Sequence, residues 1–164
     1  MSFSYQSIYF DEPIQKGRVL DIFTPKKINR DISLFFIHGG GWRAGSRADY
    51  HNLMRAFNEE GHVCAATDYR LQGVNLSEQL TDVRRGYDLF LTALRRMGRP
   101  ERVVVYGGSA GALLAALVSM NGPSGWTTPV GVALSAFTPL FTPWEDIFPG
   151  IWSSMQDIAG APYD

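Results

Sequence analysis

The chain has 164 residues, 45% of them hydrophobic and 19% charged. That balance suits one globular domain with a core of its own and excludes a disordered or low-complexity chain. Fifteen Lys and Arg stand against sixteen Asp and Glu, a formal net charge of −1, which offers no electrostatic footprint for nucleic acid or an acidic membrane. Cys64 is the one cysteine and lies in the apolar run His62-Val63-Cys64-Ala65-Ala66, so a buried, inert thiol is expected and neither a disulfide nor a zinc cluster. The opening MSFSYQSIYF has no basic segment followed by a long apolar one, and no stretch approaches the ~20 apolar residues of a bilayer span. A cytoplasmic protein acting without a membrane, a nucleic acid, a metal or an organic cofactor is the expectation.

Arg18 to Thr24 reads as a short strand stopped by Pro25. Ile32 to Ile37 is an almost unbroken apolar run, the pattern of a strand buried on both faces of a parallel sheet. It stops at His38-Gly39-Gly40-Gly41-Trp42. A helix is predicted from about Arg47 to Glu60, with Ser46 as its cap and Gly61 as its left-handed stop. Val63 to Tyr69 is a further strand. Asn75-Leu76-Ser77-Glu78 has the form of a capping box. Leu76, Leu80, Val83, Tyr87, Leu91, Leu94 and Met97 then step by three or four, one face of a long helix packed on a sheet. Arg84, Arg85, Arg95, Arg96 and Arg99 are interleaved with Asp82 and Asp88 along it, which reads as a solvated face. Arg102 to Tyr106 is a strand, Ala110 to Met120 a helix and Val130 to Leu134 a strand. Strands alternating with helices in this way predict a mostly parallel α/β sheet.

Two motifs carry chemistry. In VVVYGGSAGALLAAL, Ser109 sits between β-formers and a helix, with Gly107 two residues before it and Gly111 two after. A nucleophilic hydroxyl must stand clear of its own backbone at the end of a rigid strand. The sharp strand-to-helix turn that achieves this crowds neighbouring segments, and glycines relieve the crowding. A helix starting at the serine also points its positive end at a developing oxyanion. The second motif, HGGGW, ends a strand some seventy residues upstream, and its glycines leave backbone N–H groups open to a substrate oxygen. With the Ala110 N–H they compose an oxyanion hole. Neither G-x-G-x-x-G nor G-K-[ST] is present, so the glycines do not spell a nucleotide phosphate loop.

HGGGW with GGSAG resembles the α/β-hydrolase superfamily, and within it the esterase branches that include hormone-sensitive-lipase-like, kynurenine-formamidase-like and feruloyl-esterase-like enzymes. Asp68-Tyr69-Arg70-Leu71 resembles the D-Y-R-L of that branch. The likeness covers roughly Val19 to Leu134. It implies a three-layer sandwich around a mostly parallel sheet, hydrolysis of a small carboxylic ester or amide, Ser109 as nucleophile and Gly40, Gly41 and Ala110 as oxyanion donors. It also implies that His38 supports the glycine loop and is not the base. Trp42, Trp144, Phe148 and Trp152 are the candidates to line a substrate pocket.

The chain departs from that pattern after Ser109. The triad of this superfamily runs nucleophile, acid, histidine, whereas His38, His51 and His62 all precede the serine. His51 lies among charged neighbours on a predicted helix, where solvent exposure is expected, and His62 follows Gly61 at the far end of a strand from where ligands bind such sheets. The expected organisation is therefore one incomplete domain over residues 1–164. Its core spans about 18–136, and an aromatic segment at about 137–158 is read either as a lid or as core whose partners lie elsewhere. The C-terminal strands and helices, the triad acid and its histidine would come from a C-terminal remainder or a second chain. A strand near Val130 would then be left as an open edge. A non-catalytic module of the same fold, binding a small apolar ligand or a protein partner, is the alternative. A half-domain that dimerises over its open edge is the third.

Overall fold

The computed structural model describes residues 3–120 and 122–136. Its six-stranded sheet has the order β1-β2-β4-β3-β5-β6. The strands are β1 (Phe3–Tyr9), β2 (Val19–Pro25), β3 (Ser33–Ile37), β4 (Cys64–Thr67), β5 (Val103–Gly108) and β6 (Gly131–Ser135). β3 pairs in parallel with β4 and β5, and β5 with β6. β2 runs antiparallel to both β1 and β4, so the parallel block carries an antiparallel wing that the sequence reading does not separate. β1 itself has no counterpart in that reading. Its aromatic residues alternate with Ser and Gln as an edge strand's do, and it pairs along its whole length from Phe3↔Pro25 to Tyr9↔Val19.

Residue alternation along the buried strands builds two cores. Phe35 and Ile37 face one side with Val103, Val105 and Ala65, covered by α2 (Leu76–Arg96) and α3 (Ala110–Met120). Phe36, Cys64 and Ala66 face the other with Met54 of α1 (His51–Glu59). Burial of a side chain such as Phe35 or Phe36 contributes roughly 1.5–3 kcal/mol, so the ISLFFI run glues a helix layer to each face. The result is a three-layer sandwich with α1 on one side and α2 and α3 on the other.

The predicted helix starts are present. Ser46 accepts from the Ala48 N–H and forms a capping box with Asp49 at the head of a short 3-10 turn, Arg47–Tyr50, that leads into α1. Asn75 and Glu78 form the second box at α2, and Gly61 and Gly98 lie in the left-handed region after α1 and α2. The apolar stripe of α2 is buried at Val83, Tyr87, Phe90, Leu91 and Leu94. Its opposite face is charged and exposed at Arg85, Asp88, Arg95 and Arg96, but Asp82 corrects the reading of that face: it is fully buried and receives Arg70 on both carboxylate oxygens. Cys64 is buried, and burial pushes its thiol up to about 12. Among the described residues β6 forms one edge of the sheet, where Val130, Val132 and Leu134 are exposed. Among the described residues, too, no helix is long and apolar enough to cross a membrane.

Candidate active site

β3 and β5 are parallel neighbours, so the loops that leave their C-terminal ends emerge side by side. Each is a glycine motif. The Gly39 Cα meets the β5 turn so closely that a Cβ there would lie 2.6 Å from the Gly108 carbonyl oxygen and 3.2 Å from the Ser109 Cβ. At the start of α3, a Cβ on Gly111 would lie 2.3 Å from the Ile37 carbonyl oxygen and 2.4 Å from that of His38. The two motifs are thus pressed together backbone against backbone, which explains why both are written in glycine.

Ser109 stands at this junction, exposed and with φ +52. A non-glycine residue in that region carries strain of about 1–3 kcal/mol, and such strain concentrates at functional turns. Its backbone is pinned on both sides: the Ser109 N–H donates to the Ser135 carbonyl of β6 at 2.8 Å, and its carbonyl accepts the Ala112 N–H at 2.8 Å. Ala110 opens α3, and N–H groups of a first turn have no intrahelical acceptor. Gly40 and Gly41 are left-handed, φ +105 and +59, and the Gly40 carbonyl closes the loop by accepting from Arg43 and Ala44. A cavity of about 430 Å³ over the serine is lined by Gly39, Gly40, Asp49, Tyr50, Tyr106 and Ser135 among others. The structure therefore brings Ser109 and Gly40 to one pocket, with Ala110 adjoining the serine.

Trp42 takes a different place. It is 4% exposed and belongs to the core beneath the loop, while its carbonyl accepts the Gln79 side chain at 3.0 Å. A buried indole anchors the glycine loop and offers no wall to a ligand. Trp144, Phe148 and Trp152 lie outside the described residues.

The three histidines of the chain are all described, and none lines the Ser109 cavity. His38 is 1% exposed, stacks on Tyr69 at 4.3 Å and donates from Nδ1 to the Gly39 carbonyl at 2.8 Å. The Tyr69 hydroxyl in turn donates to the His38 carbonyl at 2.9 Å. Burial lowers the His38 pKa against the raising effects of Gly39, Asp68 and Asp49. His62, with Nδ1 on the Ile32 carbonyl at 2.7 Å, precedes β4; Ser109 follows β5, which runs in the same direction, so the two residues occupy opposite ends of the sheet. His51 corrects the expectation of solvent exposure. Its side chain is 20% exposed, lies against the Phe23 and Tyr5 rings, and meets Asp21 Oδ2 at 2.9 Å.

Asp21 belongs to a charged harness that sequence reasoning missed. It is fully buried in β2, accepts from Ser7 Oγ at 2.6 Å, and pairs with Arg47 Nε at 2.8 Å and with His51. Burial alone would raise its pKa; these partners and the Arg47 charge outweigh it and hold the carboxyl below its usual value. Arg47 also gives its backbone N–H to Asp68 Oδ1 at 2.7 Å and its Nη1 to Asp68 Oδ2. The exit of the glycine loop is thereby tied to β2 and to the end of β4. The D-Y-R stretch acts as a second tie, with Asp68 on Arg47, Tyr69 on His38 and Arg70 on Asp82. The signal available in the sequence was an acid, Asp21, inside the apolar strand VLDIF.

A sheet of this order with helices on both faces, a strand–serine–helix turn and a glycine loop beside it defines an α/β-hydrolase fold. Residues 20–126 match the BD-FAE family, and the chain belongs to that family. Among curated proteins it is 39% identical over 109 residues to arylacetamide deacetylase of Mus musculus, across 61% of this chain and 27% of that protein. It is 31% identical over 115 residues to Gut esterase 1 of Caenorhabditis elegans, across 62% of this chain and 20% of that protein. The chain thus spans about a quarter of the length of these relatives. Esterase B of Lactobacillus rhamnosis superposes with a TM-score of 0.75 at 22% identity, covering 95% of this chain and 56% of that one. Thermogutta terrifontis esterase 2 superposes with a TM-score of 0.74 at 19% identity, over 96% and 64% respectively.

Proposed function

We propose that the chain carries the nucleophile and the oxyanion hole of a serine hydrolase acting on small carboxylic esters, with small amides as the next substrate class. Ser109 Oγ attacks the acyl carbon, and the N–H groups of Gly40, Gly41 and Ala110 receive the negative oxygen of the tetrahedral adduct. Collapse expels the alcohol or amine and leaves an acyl-serine, and water then attacks the same carbon to release the acid. Both steps need a base for the incoming proton and an acid for the departing group. A histidine and a carboxylate from outside residues 1–164 fill those roles, contributing roughly 10²–10⁴-fold as such groups do.

The observation that carries the reading is the strained, exposed Ser109 held directly against the glycine loop. The kinship with esterases supports the ester, and the likeness to arylacetamide deacetylase supports keeping the amide. The placement of all three histidines away from the serine cavity supports a base from outside. That same placement favours one second reading, a hydrolase-fold binding module. A fluorophosphonate probe applied to the native protein with any associated polypeptide separates the two. Covalent labelling at Ser109, absent in Ser109→Ala, is the expected result. Ligand binding that survives Ser109→Ala, with no labelling and no turnover of activated esters, would replace the enzyme by the binding module.

A further inference from the structure

Tyr50 ends the 3-10 turn that follows the glycine loop and forms one wall of the serine cavity. Its ring is held by two neighbours, stacked on Phe36 at 5.3 Å and set edge-on to Tyr106 at 5.5 Å. Phe36 lies in β3 and Tyr106 in β5, the two strands that carry the glycine loop and the nucleophile. Those contacts aim the phenol oxygen at the backbone just before Ser109. A Cβ on Gly108 would lie 2.7 Å from that oxygen, and among the described residues the phenol oxygen is the one non-neighbouring atom within 4 Å of that position.

Gly108 therefore has a reason to be glycine that differs from those of Gly107 and Gly111. A Cβ on either of those would strike main chain, at Gly111 and at Ile37 and His38 respectively. The space beside Gly108 is taken by one side-chain atom. From this juxtaposition we infer that Tyr50 is a positioning residue for Ser109: its hydroxyl braces the Gly108 backbone and fixes the direction in which the serine leaves β5. The inference rests on the hydrolase reading of Ser109. Desolvation in the aromatic setting, with the Tyr106 and Asp49 effects added, pushes the phenol up to about 12, so it stays neutral through the working range of an enzyme. Displacement of a nucleophile by about 1 Å can cost on the order of 100-fold in rate.

The test is a double-mutant cycle read by the rate at which a fluorophosphonate labels Ser109 in the native protein, with the labelling end-point and thermal midpoint recorded for every variant. Tyr50→Phe keeps both ring contacts and removes the oxygen. It should lower the labelling rate by roughly tenfold or more, on the positioning magnitudes above, while the end-point stays complete. Gly108→Ala alone should also slow labelling, because the new methyl displaces the phenol. In the Tyr50→Phe background the obstruction is gone, and adding Gly108→Ala should change the rate by less than about twofold, the non-additivity of groups in contact. Wild-type labelling in Tyr50→Phe overturns the inference and leaves the hydrolase reading standing. A slower rate matched by an equal loss of end-point and a lowered midpoint overturns it too, since that is the mark of general unfolding. A wild-type protein that is not labelled at Ser109 overturns the hydrolase reading, and the inference falls with it.

Discussion

His38 is held at three points by Tyr69 and Gly39 and is all but closed to solvent. Its pKa is lowered by burial, so the folded state prefers the neutral ring and the unfolded chain takes up the proton first. The sign follows: stability conferred by the neutral ring is fully present above the ordinary value of 6.5 and declines as pH falls from there towards the depressed folded value. Urea midpoints should begin to fall below about pH 6.5, and the His38 ring resonances should titrate below those of an unfolded histidine. A His38 that titrates at or above the ordinary value would show that the loop tolerates a charged imidazole. At Ser109 itself, replacement by alanine should abolish phosphonate labelling. It should leave the free energy of urea unfolding within about 0.5 kcal/mol, because the hydroxyl is exposed and alanine keeps the Cβ, so both residues carry the same backbone strain at φ +52.

Between β2, β4 and the start of α1, one guanidinium serves two carboxylates. Arg47 joins Asp21 to Asp68, and its side chain is 24% exposed while that of Asp21 is fully buried. Arg47→Met would leave Asp21 with Ser7 and His51 as partners and Asp68 without its guanidinium. A loss of about 3 kcal/mol in equilibrium unfolding is expected, the usual consequence of removing one member of a buried pair. Asp21→Asn with Arg47→Met together should cost less than the sum of the two separately. At this scale the sequence was readable wherever one local rule decided the outcome. The Ser46 cap, the Asn75–Glu78 capping box, the left-handed stop at Gly61, the α2 stripe and the strand–serine–helix turn are all local. Asp21, Asp82 and His51 were opaque because their burial depends on partners at least 12 residues away. Charge alone argued for solvent, and only tertiary pairing reversed it. Tyr50 left no trace of its place, since an aromatic after an acid in a helix start is an ordinary core residue until Gly108 is seen beside it.

For the molecule as a whole, the mixed sheet and its two helix layers hold the serine and the glycine loop at one end, while the histidines serve the frame. The parallel strands were legible in the apolar runs and in the two glycine motifs that end them. The antiparallel wing was not, because β1 is a half-exposed edge whose only strong signal is alternation over seven residues. If the triad is completed by polypeptide beyond residues 1–164, native mass spectrometry of the labelled protein should record a mass above 18.2 kDa, and the additional sequence should contain histidine. Labelling of a species at 18.2 kDa alone would show that Ser109 is activated without an imidazole from elsewhere.

The glycine junction around Ser109 is set by contact between main-chain atoms, which have nothing to titrate and little for salt to screen. The harness behind it, Asp21–Arg47–Asp68, is built from charges. The two should fail under different insults. Acid, which neutralises the carboxylates, would let the loop drift from the serine while every backbone N–H of the two glycine motifs remained chemically intact. Returning the protein to neutral pH should then restore the site without repair.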